Sequence, residues 1–473
     1  MKIIEAVSNP IFKSVAEVAE KIDQETYVVG GFVRDYLLNR GHKKDIDFVT
    51  VGNGILLAKE LSNTLGNTSQ VSVFKRFGTA MFKYKDTDLE FVGARKESYS
   101  EDSRKPHVED GTLEDDQKRR DFTINTLAIS MNKATFGELI DPFNGVEDLN
   151  QKIIKTPLEP NVTYSDDPLR MMRAIRFAAQ LDFEIEEKSF QAIIDNSERI
   201  NIVSFERVMD EFQKIMMTDK PSVGLLLLEQ SGLLQHILPE LIALKGIEEV
   251  EGQKHKDNFY HTLEVVDNIS VNTDNVWLRW AALLHDVGKA VTKRFDKKVG
   301  WTFHSHEFVG SKMVVQIFRR LKLPMSNQMK FVKKMVMMSS RPIAVVTDDA
   351  TDSALRRLLF DAGEDFDDLI TLCKADITTK NEKKQKRFKQ NFEVVEQKIK
   401  DVEERDRVRN FQPPITGEEI MEIFDIQPGK EIGILKNAIK EAILEGEVEN
   451  NYNSALKFVI NLGKDLNLEP KNI

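Results

Sequence analysis

Read for its alternation of apolar and polar positions, the chain changes character near residue 150. Upstream the pattern is mixed. Residues 26–31 (TYVVGG) form a short apolar run closing on a glycine pair, and residues 32–40 carry apolar side chains at helical spacing. Residues 45–51 (DIDFVTV) alternate acidic and apolar positions as a half-buried strand does, and residues 79–84 and 88–93 predict further strands. Downstream, long amphipathic segments take over at 166–181, 204–216 and 223–237. The polar stretch 246–258 marks a second boundary, ahead of a further helical region that contains His261 and His285. Beyond about residue 380 the chain is highly charged and helical, with a break at Pro413 and Pro414. There is no low-complexity tract and no repeat of solenoid length. The predicted fold class is α+β: a head over 1–150, an all-helical neck over 151–245, a further helical domain over 246–380 and a charged helical tail over 381–473.

Composition adds bounds. A chain of 473 residues, 41% apolar and 30% charged, is long enough for several globular cores. The single cysteine, Cys373, excludes a disulfide framework or thiol zinc site and fits a reducing compartment. The opening residues hold no long apolar run, so neither a signal peptide nor a membrane span is expected, and a cytoplasmic protein is. A net charge of −10 argues weakly against nucleic acid. That average hides the basic run Lys380, Lys383, Lys384, Lys386, Arg387 and Lys389, which is either a solvated helix face or an RNA contact.

The densest chemical signal is Gly30-Gly31-Phe32-Val33-Arg34-Asp35, then nine residues, then Asp45-Ile46-Asp47. Glycines after a strand admit close approach of a triphosphate, and the helix that follows offers backbone NH groups. On a strand, Asp45 and Asp47 share one face while Ile46 and Phe48 face the core. Two such carboxylates suit hard, oxygen-liganded Mg²⁺, and a pair of those ions can activate a ribose 3′-hydroxyl and stabilise departing pyrophosphate. Glu90 is the candidate third acid, with Arg95 beyond it as a phosphate contact. Asp-x-Asp alone more often marks acids on an exposed strand. The glycine pair, Arg34-Asp35 and the strand-turn-helix context favour catalysis.

These motifs resemble those of class II tRNA nucleotidyltransferases and bacterial poly(A) polymerases, which share a polymerase β-like head. Arg119-Arg120-Asp121, followed by Phe122 to Asn125, resembles the family's ribose- and triphosphate-binding motif. The segment from Asp141 to Leu149 resembles its hinge. Asp166-Asp167-Pro168-Leu169-Arg170 resembles the Glu-Asp-x-x-Arg motif, with Asp in place of the usual Glu. The resemblance covers roughly the first 240 residues. It implies that Arg34, Arg119 and Arg120 meet the triphosphate, that Asp121 and Asn125 meet the ribose, and that Asp167 with Arg170 reads the base of CTP or ATP. Arg173 and Arg176 would touch phosphate or pair with acids. Read as helix, Ser165 would cap a turn holding Asp167 three residues before Arg170, and Asp121 and Asn125 would share a face. The charged segment 95–119, with His107, reads as a mobile loop. Arg76-Phe77-Gly78-Thr79-Ala80 looks more like the CCA-adding members than the poly(A) polymerases. The function implied is addition of CCA to tRNA, with poly(A) addition and CC-only or A-only addition as alternatives. The partners are tRNA, CTP and ATP, with no membrane and no obligate protein. Neck, tail and basic run would grip the tRNA by shape and phosphate.

A second constellation follows. His261 opens a helical stretch, and His285-Asp286 closes an apolar helix. Together with Asp376 they resemble the ligand set of HD phosphohydrolases. His304 and His306 resemble the extra ligands of two-metal sites. Imidazole with carboxylate suits a divalent transition metal such as Mn, Ni or Fe, whose bound water can attack a phosphoester. The resemblance points to cyclic-phosphate, 2′-phosphate or tRNA-end substrates. The bland alternative is a retained fold without turnover.

Overall fold

The computed structural model describes residues 2–471 apart from 42–44, 67–69, 76–77, 101–102, 348–350, 380, 407–408 and 410. Arg76, Phe77 and Lys380 therefore lie outside the described residues, as do the side chains of His107 and Lys389. The chain forms two compact units, Met1–Pro239 and Glu240–Ile473.

The first unit opens with α1 (Pro10–Lys21), β1 (Glu25–Val29), α2 (Gly31–Leu37), β2 (Asp45–Val51) and α3 (Gly54–Thr64). Then come β3 (Ser72–Phe74), β4 (Thr79–Tyr84), β5 (Thr87–Gly93), β6 (Arg95–Ser100), β7 (Ser103–Asp110) and α4 (Leu113–Lys118), followed by β8 (Ala128–Ser130), β9 (Leu139–Ile140) and α5 (Gly145–Gln151). The main sheet runs β3-β4-β5-β2-β1-β8-β9. Its β2–β5 pair is parallel, with Asp45 opposite Asp88 and Asp47 opposite Glu90. Alternation decides the two faces. Ile46, Phe48, Leu89, Phe91, Ala80 and Phe82 are buried. Phe48 and Phe91 stack at 5.0 Å, with Phe12 of α1 6.0 Å from Phe48 and Phe82 5.8 Å from Phe91. Each ring so buried contributes about 2–3 kcal/mol. The other face keeps Asp45, Asp47, Asp88 and Glu90 open.

The charged segment expected to be a loop is instead ordered. β6 and β7 pair as an antiparallel hairpin, Arg95 opposite Asp110. A capping box then starts α4: the Thr112 hydroxyl accepts from the Asp115 NH, and the Thr112 NH donates to the Asp115 carboxylate.

The neck comprises α6 (Pro160–Asp166), α7 (Leu169–Leu181), α8 (Glu187–Asn196), α9 (Phe205–Met216), α10 (Pro221–Gln230) and α11 (Leu233–Ile237). A two-residue parallel ladder, β10 (Ile153–Ile154) with β11 (Glu184–Ile185), ties its start together. Ser165 does not cap a helix. It sits inside α6, where its carbonyl accepts from Arg199 at 2.9 Å. The helix break falls later because Pro168 disfavours helical geometry at the residue before it. Asp167 is accordingly extended (φ −133°, ψ 95°), and its carboxylate accepts from the Leu169 NH at 3.3 Å.

The second unit is built mainly from α12 (Pro239–Ile242), whose first residue closes the other unit, α13 (Asn258–Ser270), α14 (Val276–Leu284), α15 (Lys289–Thr292), α16 (His306–Arg320), α17 (Asn327–Met338), α18 (Arg341–Thr347), α19 (Asp352–Ala362) and α20 (Phe366–Ala375). The long α21 (Glu382–Asp406) and α22 (Gly417–Phe424), α23 (Lys430–Glu445) and α24 (Tyr452–Asp465) complete it. Short hairpins at residues 249–254 and 294–302 interrupt the helices. Phe259, Trp280 and Phe318 are buried in its core. α21 buries Phe392, Val395, Ile399 and Val402 at helical spacing while Lys383, Lys384, Lys386 and Arg387 are exposed. Among the described residues no helix is long and apolar enough to cross a membrane.

Candidate active site and metal centre

In the first unit the open face of the sheet and the helices α7 and α9 enclose a cavity of about 1110 Å³. Most of the residues picked out in the head and neck line it: Gly30, Gly31, Arg34, Asp45, Asp47, Glu90, Arg119, Arg120, Asp121, Asn125, Asp167, Arg170, Arg173 and Arg176, whereas Arg95 lines a smaller cavity beside it. The carboxylates come from adjacent strands, with Asp88 joining the three expected. Burial and the neighbouring Asp47 push the Glu90 carboxyl upward, and Arg95 partly offsets them. Among the described residues the head acids do not gather into a close three-ligand cluster of the kind that the histidines of the second unit form.

The arginines facing these acids are held by partners of their own. Arg34 is 3% exposed and donates to Asp35 at 2.7 Å and to Asn125 at 2.8 Å. Its guanidinium lies 4.8 Å from the Phe177 ring, and Arg176 lies 4.0 Å from the same ring. Arg119 and Arg120 both bond the fully buried Asp116, at 2.5 Å and 2.9 Å. Arg176 pairs with Glu211 at 2.6 Å, and Arg170 donates to the Arg119 carbonyl at 2.5 Å. Asp121 and Asn125 are not on one α-helical face. Asp121 accepts from the Phe122 NH at 2.9 Å, Phe122 is extended, and only a 3₁₀ turn follows at Thr123–Asn125. The two still touch, Asn125 donating to Asp121 at 2.9 Å, while Arg173 bonds the other carboxylate oxygen at 2.7 Å. Burial alone would raise the Asp121 pKa. Arg173, with help from Asn125, outweighs it and brings the pKa down to about 2.

In the second unit, His261 of α13, the His285-Asp286 pair after α14 and Asp376 after α20 converge. His261 Nε2 lies 2.8 Å from Asp376 Oδ1, and His285 Nε2 lies 3.3 Å from Asp286 and 3.4 Å from Asp376. The ligand atoms of His261, His285 and Asp286 all fall within 4.8 Å of one another. His285 Nδ1 bonds the Ala282 carbonyl at 2.7 Å, which aims Nε2 inward as a metal-ligating imidazole requires. Burial opposes a proton on His285, but Asp286 and Asp376 overcome it and raise its pKa to about 10. Lys289 Nζ lies 2.6 Å from Asp286, and Lys256 Nζ lies 2.9 Å from His261 Nδ1. His306 Nε2 approaches Asp286 at 3.5 Å. His304 is exposed, and among the described residues no hydrogen bond or ion pair links it to this group.

Comparison with known proteins places the chain in a family. Residues 26–155 match the poly A polymerase head domain, residues 182–245 the probable RNA and SrmB-binding site of polymerase A, and residues 258–362 the HD domain. The A-adding tRNA nucleotidyltransferase of Deinococcus radiodurans is 32% identical over 348 residues, covering 71% of this chain and 76% of that one. The chain belongs to the tRNA nucleotidyltransferase family. The CCA-adding enzyme of Pediococcus pentosaceus, 28% identical, aligns with this transferase over 96% of the chain and 99% of its own length. The Thermotoga maritima CCA-adding enzyme, solved in complex with tRNA, shares the fold at a TM-score of 0.62, with 21% identity and 98% of each chain covered.

Several residues in and around the candidate site escaped the sequence reading. Asp116 had a local signal, standing three and four positions before Arg119 and Arg120 in a helical stretch. Asp88 had one too, two positions before Glu90 on the same strand. Glu211 and Phe177 had none, because each looks like an ordinary member of an amphipathic helix until the chain folds. The head and HD domains together imply dependence on divalent metal.

Proposed function

We propose that this transferase adds CCA to the 3′ end of tRNA from CTP and ATP. The observation that supports it is the single cavity in which an acid-bearing sheet face meets a bank of preorganised arginines. Arg34, Arg119 and Arg120 neutralise the triphosphate, and their buried acidic partners fix them beforehand, so little order is lost on binding. Asp45, Asp47 and Glu90 would hold Mg²⁺, which supplies activation of the attacking hydroxyl and charge neutralisation on the leaving group. The tRNA 3′-oxygen bonds to the α-phosphorus, the bond to the bridging oxygen breaks, and pyrophosphate leaves. Asp121 and Asn125 face the ribose. Asp167 presents acceptors and Arg170 donors to the base edge, Arg170 being steadied by the Arg119 carbonyl.

The four-part division into head 1–150, neck 151–245, HD domain 246–380 and tail 381–473 is part of the same reading, with neck, tail and the basic face of α21 gripping tRNA phosphates. The HD cage would take Mn, Ni or Fe through His261, His285, Asp286 and Asp376, with His306 in reserve for a second ion, and would hydrolyse phosphoester or cyclic-phosphate ends. The chemistry of the donor set fits: inward Nε2 atoms, two carboxylates and a fixed imidazole tautomer.

The Deinococcus relative favours a second reading, addition of the terminal A alone. A tRNA transcript lacking its last three nucleotides, incubated with Mg²⁺ and with CTP and ATP separately and together, separates them. A stop at plus three that needs both nucleotides supports CCA addition. Extension only of a transcript already ending in CC supports A addition. A long A ladder from ATP alone would mean poly(A) synthesis.

A further inference from the structure

The carboxylate face of the sheet has a second cavity, about 300 Å³, lined by Phe74, Thr79, Glu90, Val92, Arg95 and Arg119. It shares Glu90 and Arg119 with the large cavity, so Glu90 stands in the wall between them. The strand register explains the layout. Phe74 pairs with Thr79 and Thr79 with Val92, while Glu90 lies two residues before Val92 and opposite Asp47. Residues two apart on a strand share a face, so Phe74 occupies the acidic face one row beyond the acids. A lone surface aromatic is ordinary. This one is 46% exposed, on the edge strand β3, and opens on a cavity that ends at a candidate catalytic carboxylate.

In-line transfer puts the attacking 3′-oxygen and the leaving pyrophosphate on opposite sides of the α-phosphorus. Of the triphosphate arginines, Arg34 and Arg120 line the large cavity alone, and Arg119 stands with Glu90 between the two. The attacking strand must then reach the acids from another side. We infer that the small cavity receives the 3′-terminal nucleotide of the RNA acceptor, its base against the Phe74 ring and its phosphate beside Arg95. This rests on the nucleotidyl-transfer reading. The volume suits one nucleoside. An aromatic face accepts any base by stacking, which an enzyme whose acceptor end changes with each addition requires. Phe74 is thus a positioning residue for the acceptor, distinct from the base-reading pair on the neck.

The test uses the full-length chain and a tRNA transcript lacking CCA, with 2-aminopurine as its last base. Phe74→Leu should raise KM for the RNA roughly tenfold while leaving KM for CTP within about twofold, and Phe74→Trp should restore it. Stacking should quench 2-aminopurine fluorescence on binding to the wild type and quench it much less on binding to Phe74→Leu. Equal changes in both KM values, no change in either, or equal quenching by both proteins would overturn the assignment. Should the wild type fail to extend any RNA, the transfer reading falls, and the fluorescence comparison still decides whether the RNA end rests on Phe74.

Discussion

At the scale of single residues, the head site is a set of charges that neutralise one another before substrate arrives. Asp47 tests the acidic side. Asp47→Ala should lower the rate of transfer by roughly a thousandfold or more while tRNA binding stays within about twofold, measured by single-turnover extension and a filter-binding titration. Retained transfer would remove Asp47 from the metal set. Asp116 tests the basic side, since it tethers both Arg119 and Arg120 by ion pairs. Asp116→Asn should raise KM for CTP about tenfold and cost about 2–3 kcal/mol in denaturant unfolding, because two partly buried guanidinium groups lose their counter-ion. Asp121 gives a pH signature. Its pKa is depressed from 3.8 to about 2 against Arg173, so its stabilising contribution is fully present above pH 3.8 and is lost as the pH falls towards 2. The depression corresponds to about 2 kcal/mol. Over that window the wild type should lose this increment while Asp121→Asn, already lacking it at neutral pH, should not. Parallel unfolding curves for the two proteins would count against the pair.

At the scale of elements, the strand-turn-helix from β1 through Gly30 into α2 governs how closely a phosphate can approach. Gly30 has φ +69°, and a Cβ there would meet Arg120 Nη1 at 3.2 Å. Gly30→Ala should therefore cost about 1–2 kcal/mol in backbone strain and also displace the Arg120 guanidinium proposed to bind phosphate. Thermal unfolding and KM for CTP should both worsen, whereas a residue serving only the fold would move the first alone. The strands DIDFVTV, TAMFKY and DLEFVG were legible because each obeys a period of two against one buried face. The neck helices were legible from their period of 3.6. What the sequence hid is instructive. Segment 95–119 looks like a loop because its charged residues carry no apolar alternation, yet backbone pairing of β6 with β7 needs none. The break at Asp167 was misplaced to Ser165 because a serine ahead of acids imitates a cap, while the decisive constraint was the ring of Pro168. Glu211 and Phe177 became visible only in three dimensions, since their partners Arg176 and Arg34 lie on other elements or are neighbours whose role depends on them.

At the scale of the whole molecule, the chain divides into units with separate cores, and each holds one of the two candidate centres. A protein built so need not unfold in one step, and a ligand that binds one unit stabilises that unit. All three tryptophans, Trp277, Trp280 and Trp301, belong to the second unit, so intrinsic tryptophan fluorescence reports its unfolding. Mn²⁺ at about a hundred times its dissociation constant should stabilise that unit by about 2.7 kcal/mol. The tryptophan-detected transition should move up by several degrees, and His261→Ala should abolish the shift by removing one of the converging ligands. Asp47→Ala, altered in the other unit, should keep the full shift. The reciprocal holds for chemistry: His261→Ala should extend tRNA at a rate within about threefold of the wild type while losing any release of phosphate from a cyclic-phosphate RNA end. If Mn²⁺ moves the transition equally in wild type and His261→Ala, the four side chains form a charge-paired core rather than a metal centre. The dependence of their protonation on one another, Asp286 and Asp376 holding a cation at His285, would then be the whole of their role.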